Sequence, residues 1–258
     1  MSIEMFKKFL KLKNVASLSA HMVSQDMISK DDPASLSFQT KELSLTSSNI
    51  SHVAMVRFFR SFPALESLTY THGGAVIGYA DFEPPRMMEA IQHLKPTLKH
   101  LAIINDDYFY GSSEIEEYPV GSLADFTCLK SIDMTNSILL GKAETGEDGQ
   151  WDRINDEGFF ERQKLENAIP KSLEELKIRG VTEDIVLQLF SFVSEKEKYA
   201  PALKTLDLEW ERIKYPDKPS PPGPSVHPGF VKDEAERFWR LCQGKGVEMK
   251  MRDEPPKD

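Results

Sequence analysis

A six-residue phrase recurs along this chain, and it constrains the fold more than any other feature. It reads LESLTY at Leu65–Tyr70, LKHLAI at Leu98–Ile103, LKSIDM at Leu129–Met134, LEELKI at Leu173–Ile178 and LKTLDL at Leu203–Leu208. The first, fourth and sixth places are apolar each time, and weaker copies occupy residues 15–20, 40–45 and 246–251. The fourth place falls at positions 18, 43, 68, 101, 132, 176, 206 and 249, with spacings of 25, 25, 33, 31, 44, 30 and 43. A period in this range marks an array of stacked supersecondary units, in which each unit covers the face its neighbour cannot cover alone.

Alternation at the fourth and sixth places is the signature of a short strand with two side chains turned inward and the residue between them turned outward. Parallel strands cannot be joined by tight turns, so each must return through a second element. Helical periodicity supplies candidates. Ser51–Phe62 aligns Met55, Phe58, Phe59 and Phe62; Arg86–Leu94 aligns Met87, Ala90, Ile91 and Leu94. Asp184–Val193 aligns Val186, Leu189, Phe190 and Val193; Ala235–Cys242 aligns Ala235, Phe238, Trp239 and Cys242. At helical spacing beside a recurring strand, these stripes read as core rather than as a cofactor box.

The phrase resembles the strand segment of leucine-rich repeats, L-x-x-L-x-L, from about Val15 to Met251. The resemblance implies an α/β leucine-rich-repeat solenoid of about seven or eight parallel strands with outer helices. Residues 1–14 would form an N-terminal capping helix, 15–252 the irregular repeat domain, and 253–258 a disordered tail. Long loops are expected at 104–120, 135–158 and 211–230. The asparagine that ties down the turn after each strand in that family is irregular here: Asn105 and Asn136 come early and Asn49 late. The array looks most like the repeat region of fungal F-box proteins, whose F-box docks on a cullin–RING ubiquitin ligase while the repeats select the substrate. Only 14 residues precede the first repeat, too few for an F-box module, so none is expected in this sequence.

The register places the third and fifth residues of each phrase on the inner curved face. Its first half is small and hydroxyl-rich and ends at His100 and Ala102; its second half is charged with mixed signs and carries Asp133, Glu175, Lys177 and Asp207. A solvated sheet face with cross-strand pairs such as Lys177 with Asp207 is one reading, and a partner-binding surface is the other. Between phrases, residues 104–118 combine Tyr108, Phe109, Tyr110 and Tyr118 with Asp106, Asp107, Glu114, Glu116 and Glu117. Residues 141–158 set Trp151 among acids and read as disordered. Aromatics embedded in acids suit a basic protein partner, the rings giving contact area and the carboxylates steering. A rival reading folds Phe109 and Trp151 back as lids over the sheet edge. The proline-dense stretch 215–228 reads as a stiff exposed loop.

Catalytic and metal patterns are weak. None of the six histidines has zinc-ligand spacing, and Gly73-Gly74 matches no phosphate loop. The acids around Asp152 fail the calcium-loop template because Ile154 stands where a ligand is needed. His100 with Asp133 is the one acid–base pair conceivable on neighbouring strands, and a surface hydrogen bond is the plainer reading. No enzyme activity, cofactor or metal is expected. Cys128 and Cys242 are too few for a disulfide scaffold, and Cys128 reads as a small buried hydrophobe. With no signal peptide or membrane span, a monomeric protein of the cytoplasm or nucleus is expected, and the sequon-like Asn49-Ile50-Ser51 is a chance match. A self-associating structural repeat protein is the competing class.

The chain's net charge of −9 argues against nucleic acid and anionic membranes as partners. It is also local. Residues 104–118 hold five acids and no base, and 141–157 hold six acids and two bases, which together account for the whole of it.

Overall fold

In a computed structural model of the chain, residues 15–23, 37–73, 82–105, 119–141, 163–181, 183–210 and 232–252 are described. The expected helix at 1–14 and tail at 253–258 lie outside them. Eight strands form one sheet: β1 (Ser17–His21), β2 (Glu42–Ser48), β3 (Ser67–His72), β4 (His100–Asn105), β5 (Ser131–Thr135), β6 (Glu175–Val181), β7 (Thr205–Trp210) and β8 (Glu248–Arg252). Each strand pairs in parallel with the next in sequence. The fourth places form one unbroken row across the sheet, Leu18, Leu43, Leu68, Leu101, Ile132, Leu176, Leu206 and Met249. The recurring phrase therefore sets the strand register as well as the strand positions. A slip of one residue would turn every one of these side chains to the opposite face.

Helices return the chain between strands. They are α1 (His52–Phe59), α2 (Pro84–Ile91, continued by a 3₁₀ turn at Gln92–Leu94), α3 (Asn136–Leu140), α4 (Leu165–Ala168), α5 (Glu183–Ser194), α6 (Lys196–Tyr199) and α7 (Lys232–Gly244). The core lies between the sheet and these helices. Leu65, Leu68, Tyr70, Leu98, Leu101 and Ile103 from the strand phrases bury completely or nearly so, with Phe59, Met87 and Ile91 from the helices and Phe62 just beyond α1. Rings pack edge-on at one end (Phe58 to Phe62, 5.0 Å between centroids) and tilted at the other (Phe190 to Phe238, 4.7 Å).

Four expectations change in detail. Trp239 is 46% exposed, because the buried side of α7 is Phe238 and Cys242 with Ala235 at its margin. In α5 the buried face is Ile185, Leu189, Phe192 and Val193, so Val186 and Phe190 flank it. Cys128 is half-buried rather than enclosed. Residues 136–140, inside the expected 135–158 loop, form α3, which buries Ile138, Leu139 and Leu140 in the core. Asn49 and Ile50 are buried, which leaves the sequon-like triplet no accessible acceptor.

The strands end in a shared irregularity. Register shifts follow Leu45 in β2 and Arg179 in β6. Positive φ occurs at Met22 (56°), Ser47 (46°) and Gly180 (66°), each four residues beyond the fourth-place marker of its repeat. Beside this bend, Ser48 Oγ accepts the Val23 N–H (3.1 Å) and donates to the Thr46 carbonyl (2.9 Å), and the Tyr70 hydroxyl donates to the Ser48 carbonyl (3.0 Å). The Val23 N–H and the Ser48 and Tyr70 hydroxyls are thus paired where the chain leaves the ladder.

Candidate functional site

The third, fifth and seventh places face away from the helices and make an open sheet face. From β1 to β4 it is lined by short polar side chains (Ser17, Ser19, Ser44, Thr46, Ser67, Thr69), with Glu42, His100 and Ala102. His21 Nδ1 and Thr46 Oγ1 lie 3.0 Å apart. From β5 to β8 the face is charged. Arg179 grips Asp133 with two hydrogen bonds, Nε to Oδ1 at 2.7 Å and Nη2 to Oδ2 at 2.8 Å. The two parallel donors match the carboxylate fork, the strongest geometry available to an exposed pair. Lys177 Nζ sits 3.5 Å from Glu209 and 3.8 Å from Asp133, and Arg179 Nη1 is 3.6 Å from Glu209. Arg252 Nη2 reaches Asp207 Oδ2 at 2.9 Å.

This face departs from two pairings expected from sequence. Lys177 and Asp207 stand opposite one another in register, yet the lysine leans along the strands to Glu209 and Asp133 while Asp207 takes Arg252. Diagonal reach of long side chains explains it, since these positions are also neighbours on a sheet. His100 stands opposite Ser131, and Asp133 opposite Ala102, with the Asp133 carboxylate held by Arg179. The geometry supplies no His100–Asp133 couple. Glu175 is exposed at the start of β6, opposite Ser131 and Thr205.

A second charged feature escapes the sequence reading. At the N-terminal edge of the sheet, the second place of the six inner phrases supplies both a backbone carbonyl and a charge. The Lys41 carbonyl accepts from Glu66 and Ser67 N–H (2.8 and 2.9 Å), and the same doubled bond recurs at Glu66, Lys99, Lys130 and Glu174. The side chains above them form two Lys–Glu–Lys triads. Glu66 bridges Lys41 (2.7 Å) and Lys99 (2.5 Å), and Glu174 bridges Lys130 (2.9 Å) and Lys204. Each glutamate is held at about 2 by hydrogen bonds from its two lysines. The signal lay in the sequence as K, E, K, K, E, K down the second column, legible once the column is read across repeats rather than along the chain.

The C-terminal edge is where the acidic segments begin and end. Residues 106–118 and 142–162 lie outside the described residues, and with them Asp106, Asp107, Tyr108, Phe109, Tyr110, Glu114, Glu116, Glu117 and Trp151. Their stems are described, and they meet. Asn105 N–H donates to Thr135 Oγ1 (3.2 Å), Val120 N–H to the Ile138 carbonyl (2.8 Å), and Gln163 N–H to the Leu140 carbonyl (3.0 Å). Gln163 Nε2 then donates to the Gly121 carbonyl (2.8 Å), joining the re-entry point of one acidic segment to that of the other. The α3 helix is the post to which both are tied.

Among the described residues, no group of three or more His, Cys, Asp or Glu is placed to hold a metal ion, and no helix is long and apolar enough to cross a membrane. Burial pushes the Cys242 thiol up to about 11, far from a nucleophile's range. A leucine-rich repeat domain family matches residues 57–217, more than half of the chain and the stretch that holds β3 to β7. The chain belongs to the leucine-rich repeat family. No curated protein and no solved structure matches this leucine-rich repeat protein.

Proposed function

We propose that this leucine-rich repeat protein is a non-catalytic protein-binding module whose partner is basic and docks at the C-terminal edge of the sheet. The observation that carries this reading is the Gln163–Gly121 hydrogen bond, with the Val120 and Gln163 anchors on α3, which ties the stems of both acidic segments together. The sequence between those stems holds twelve carboxylates and the rings of Tyr108, Phe109, Tyr110 and Trp151. Concentrated charge of one sign raises the encounter rate with an oppositely charged surface, and the aromatics give the complex its buried area.

A finer role follows from the likeness of the repeats to those of fungal F-box proteins: an intracellular, monomeric substrate-recognition part of an F-box-type ubiquitin-ligase adaptor. Affinity capture with identification by mass spectrometry tests both levels. Reversing Asp106, Asp107, Glu116 and Glu117 to lysine is expected to abolish capture of the partners while circular dichroism stays unchanged. Capture that survives the reversal counts against the acidic edge. Ligase subunits among the captured proteins support the adaptor role, and a partner set without them removes it.

A further inference from the structure

Two carboxylates on the open face have a guanidinium nitrogen within 3 Å, and they are not held alike. Asp133 is gripped at both oxygens by Arg179. Asp207 meets Arg252 through Oδ2 alone, and its Oδ1 has no hydrogen-bond partner among the described residues. The residue is only 8% exposed, so this oxygen has given up water without gaining a donor. Such an acceptor is costly to leave empty in a folded protein, and more so when it is charged.

The surroundings show why the chain leaves it unpaired. Lys177 faces Asp207 in register but its ammonium is drawn towards Glu209 and Asp133. Lys250, opposite on β8, is directed to Glu248 at 3.5 Å. Among the described residues Arg252 is the one cation paired with Asp207, and it belongs to the last described strand with its side chain 46% exposed. Its hold is a single contact from a mobile class of side chain at an exposed strand, whereas Arg179 is supported by paired strands on both sides.

We infer that Asp207 is a docking point for an arginine of a protein partner, with Arg252 as an intramolecular placeholder that yields to it. Displacement of Arg252 uncovers the Asp207 carboxylate, and a guanidinium from the open face then takes both oxygens in a fork, as Arg179 already does on Asp133. Arg252 then turns to solvent at little cost, because it is half-exposed already. Charge complementarity favours the exchange. From β5 to β8 the face carries Asp133, Glu175, Asp207, Glu209 and Glu248 against Lys177, Arg179, Lys250 and Arg252, so it remains acidic by one charge. The inference rests on the protein-binding reading and names a second contact for the same basic partner.

Calorimetric titration with acetylated, amidated tri-arginine tests it. Arg252→Ala is expected to tighten binding about tenfold, the value of one competing charged hydrogen bond. Lys250→Ala changes the charge equally on the same strand and is expected to alter affinity less than about threefold, as a general field effect. Asp207→Asn is expected to weaken binding at least about fivefold, with circular dichroism confirming its fold. Equal tightening by Arg252→Ala and Lys250→Ala, an Asp207→Asn protein that binds like the wild type, or no binding to wild type and Arg252→Ala alike at millimolar peptide would each overturn the inference. The series is repeated with Asp106, Asp107, Glu116 and Glu117 neutralised to their amides. If the acidic edge is wrong and Asp207 right, neutralisation changes nothing and the Asp207 dependence persists. If Asp207 is wrong and the edge right, neutralisation weakens binding and the Asp207 dependence is absent.

Discussion

Glu66 and Glu174 each serve two lysines from flanking strands, and this fixes how the protein answers to acid. Their folded-state values near 2 lie below the ordinary 4.5, so the ionised triads stabilise the fold fully above pH 4.5. That contribution is lost as pH falls from 4.5 towards 2, when protonation must break the pairs. All six side chains are solvated, so the effect is modest and screened by salt. The Glu66→Gln/Glu174→Gln protein should show a flatter dependence of thermal midpoint on pH across that window at low ionic strength. High salt should make the wild type resemble it, and an unchanged wild-type slope in salt would show that the triads do not carry the effect. At this scale the sequence is read well where a side chain faces the core and poorly where it faces water. Tyr70 buries because its column is apolar in every repeat. Lys177 chooses among Asp133, Asp207 and Glu209 within one reach, and no linear pattern decides among them.

The strands were legible as elements because a leucine column repeats with the same phase, and the structure keeps it in register from Leu18 to Met249. Long helices were legible through their apolar stripe, to within a few residues at their ends. The short helices α3, α4 and α6 were not, since four or five residues do not complete a periodic pattern. For α3 and α4 the order comes from tertiary burial, as Leu139 and Leu165 show, whereas α6 buries no residue. The bend that closes β6 relies on Gly180 at a φ of 66°, a conformation that Met22 and Ser47 adopt with side chains in the equivalent place. A Cβ at Gly180 would meet only Thr135 Cγ2 at 3.9 Å, an ordinary contact, so the cost of Gly180→Ala is one of backbone conformation. It should destabilise by about 1 kcal/mol in urea denaturation. A loss beyond about 3 kcal/mol would mean that packing, not φ, sets the requirement.

At the scale of the whole molecule, charge is shared unevenly. Lysines dominate the second-place column at the N-terminal edge, where Lys41, Lys99, Lys130 and Lys204 outnumber Glu66 and Glu174, while residues 104–118 and 141–157 account in sequence for the net −9. Composition alone reported the second fact as a global acidity. Sequence position located it in two segments, and the fold brings the stems of those segments together on α3. What sequence could not supply was the tie itself, because Gln163 and Gly121 are 42 residues apart and neither belongs to a repeating place. The measurement that bears most directly on the central claim is the salt dependence of affinity for a captured partner, for the wild type and for the protein with Asp106, Asp107, Glu116 and Glu117 reversed. Electrostatic docking at the acidic edge predicts that raising salt from about 50 to 300 mM weakens wild-type binding at least about tenfold, mainly through slower association, and that the reversed protein binds weakly at every salt. Equal affinity of the two proteins, with no dependence on salt, would contradict it.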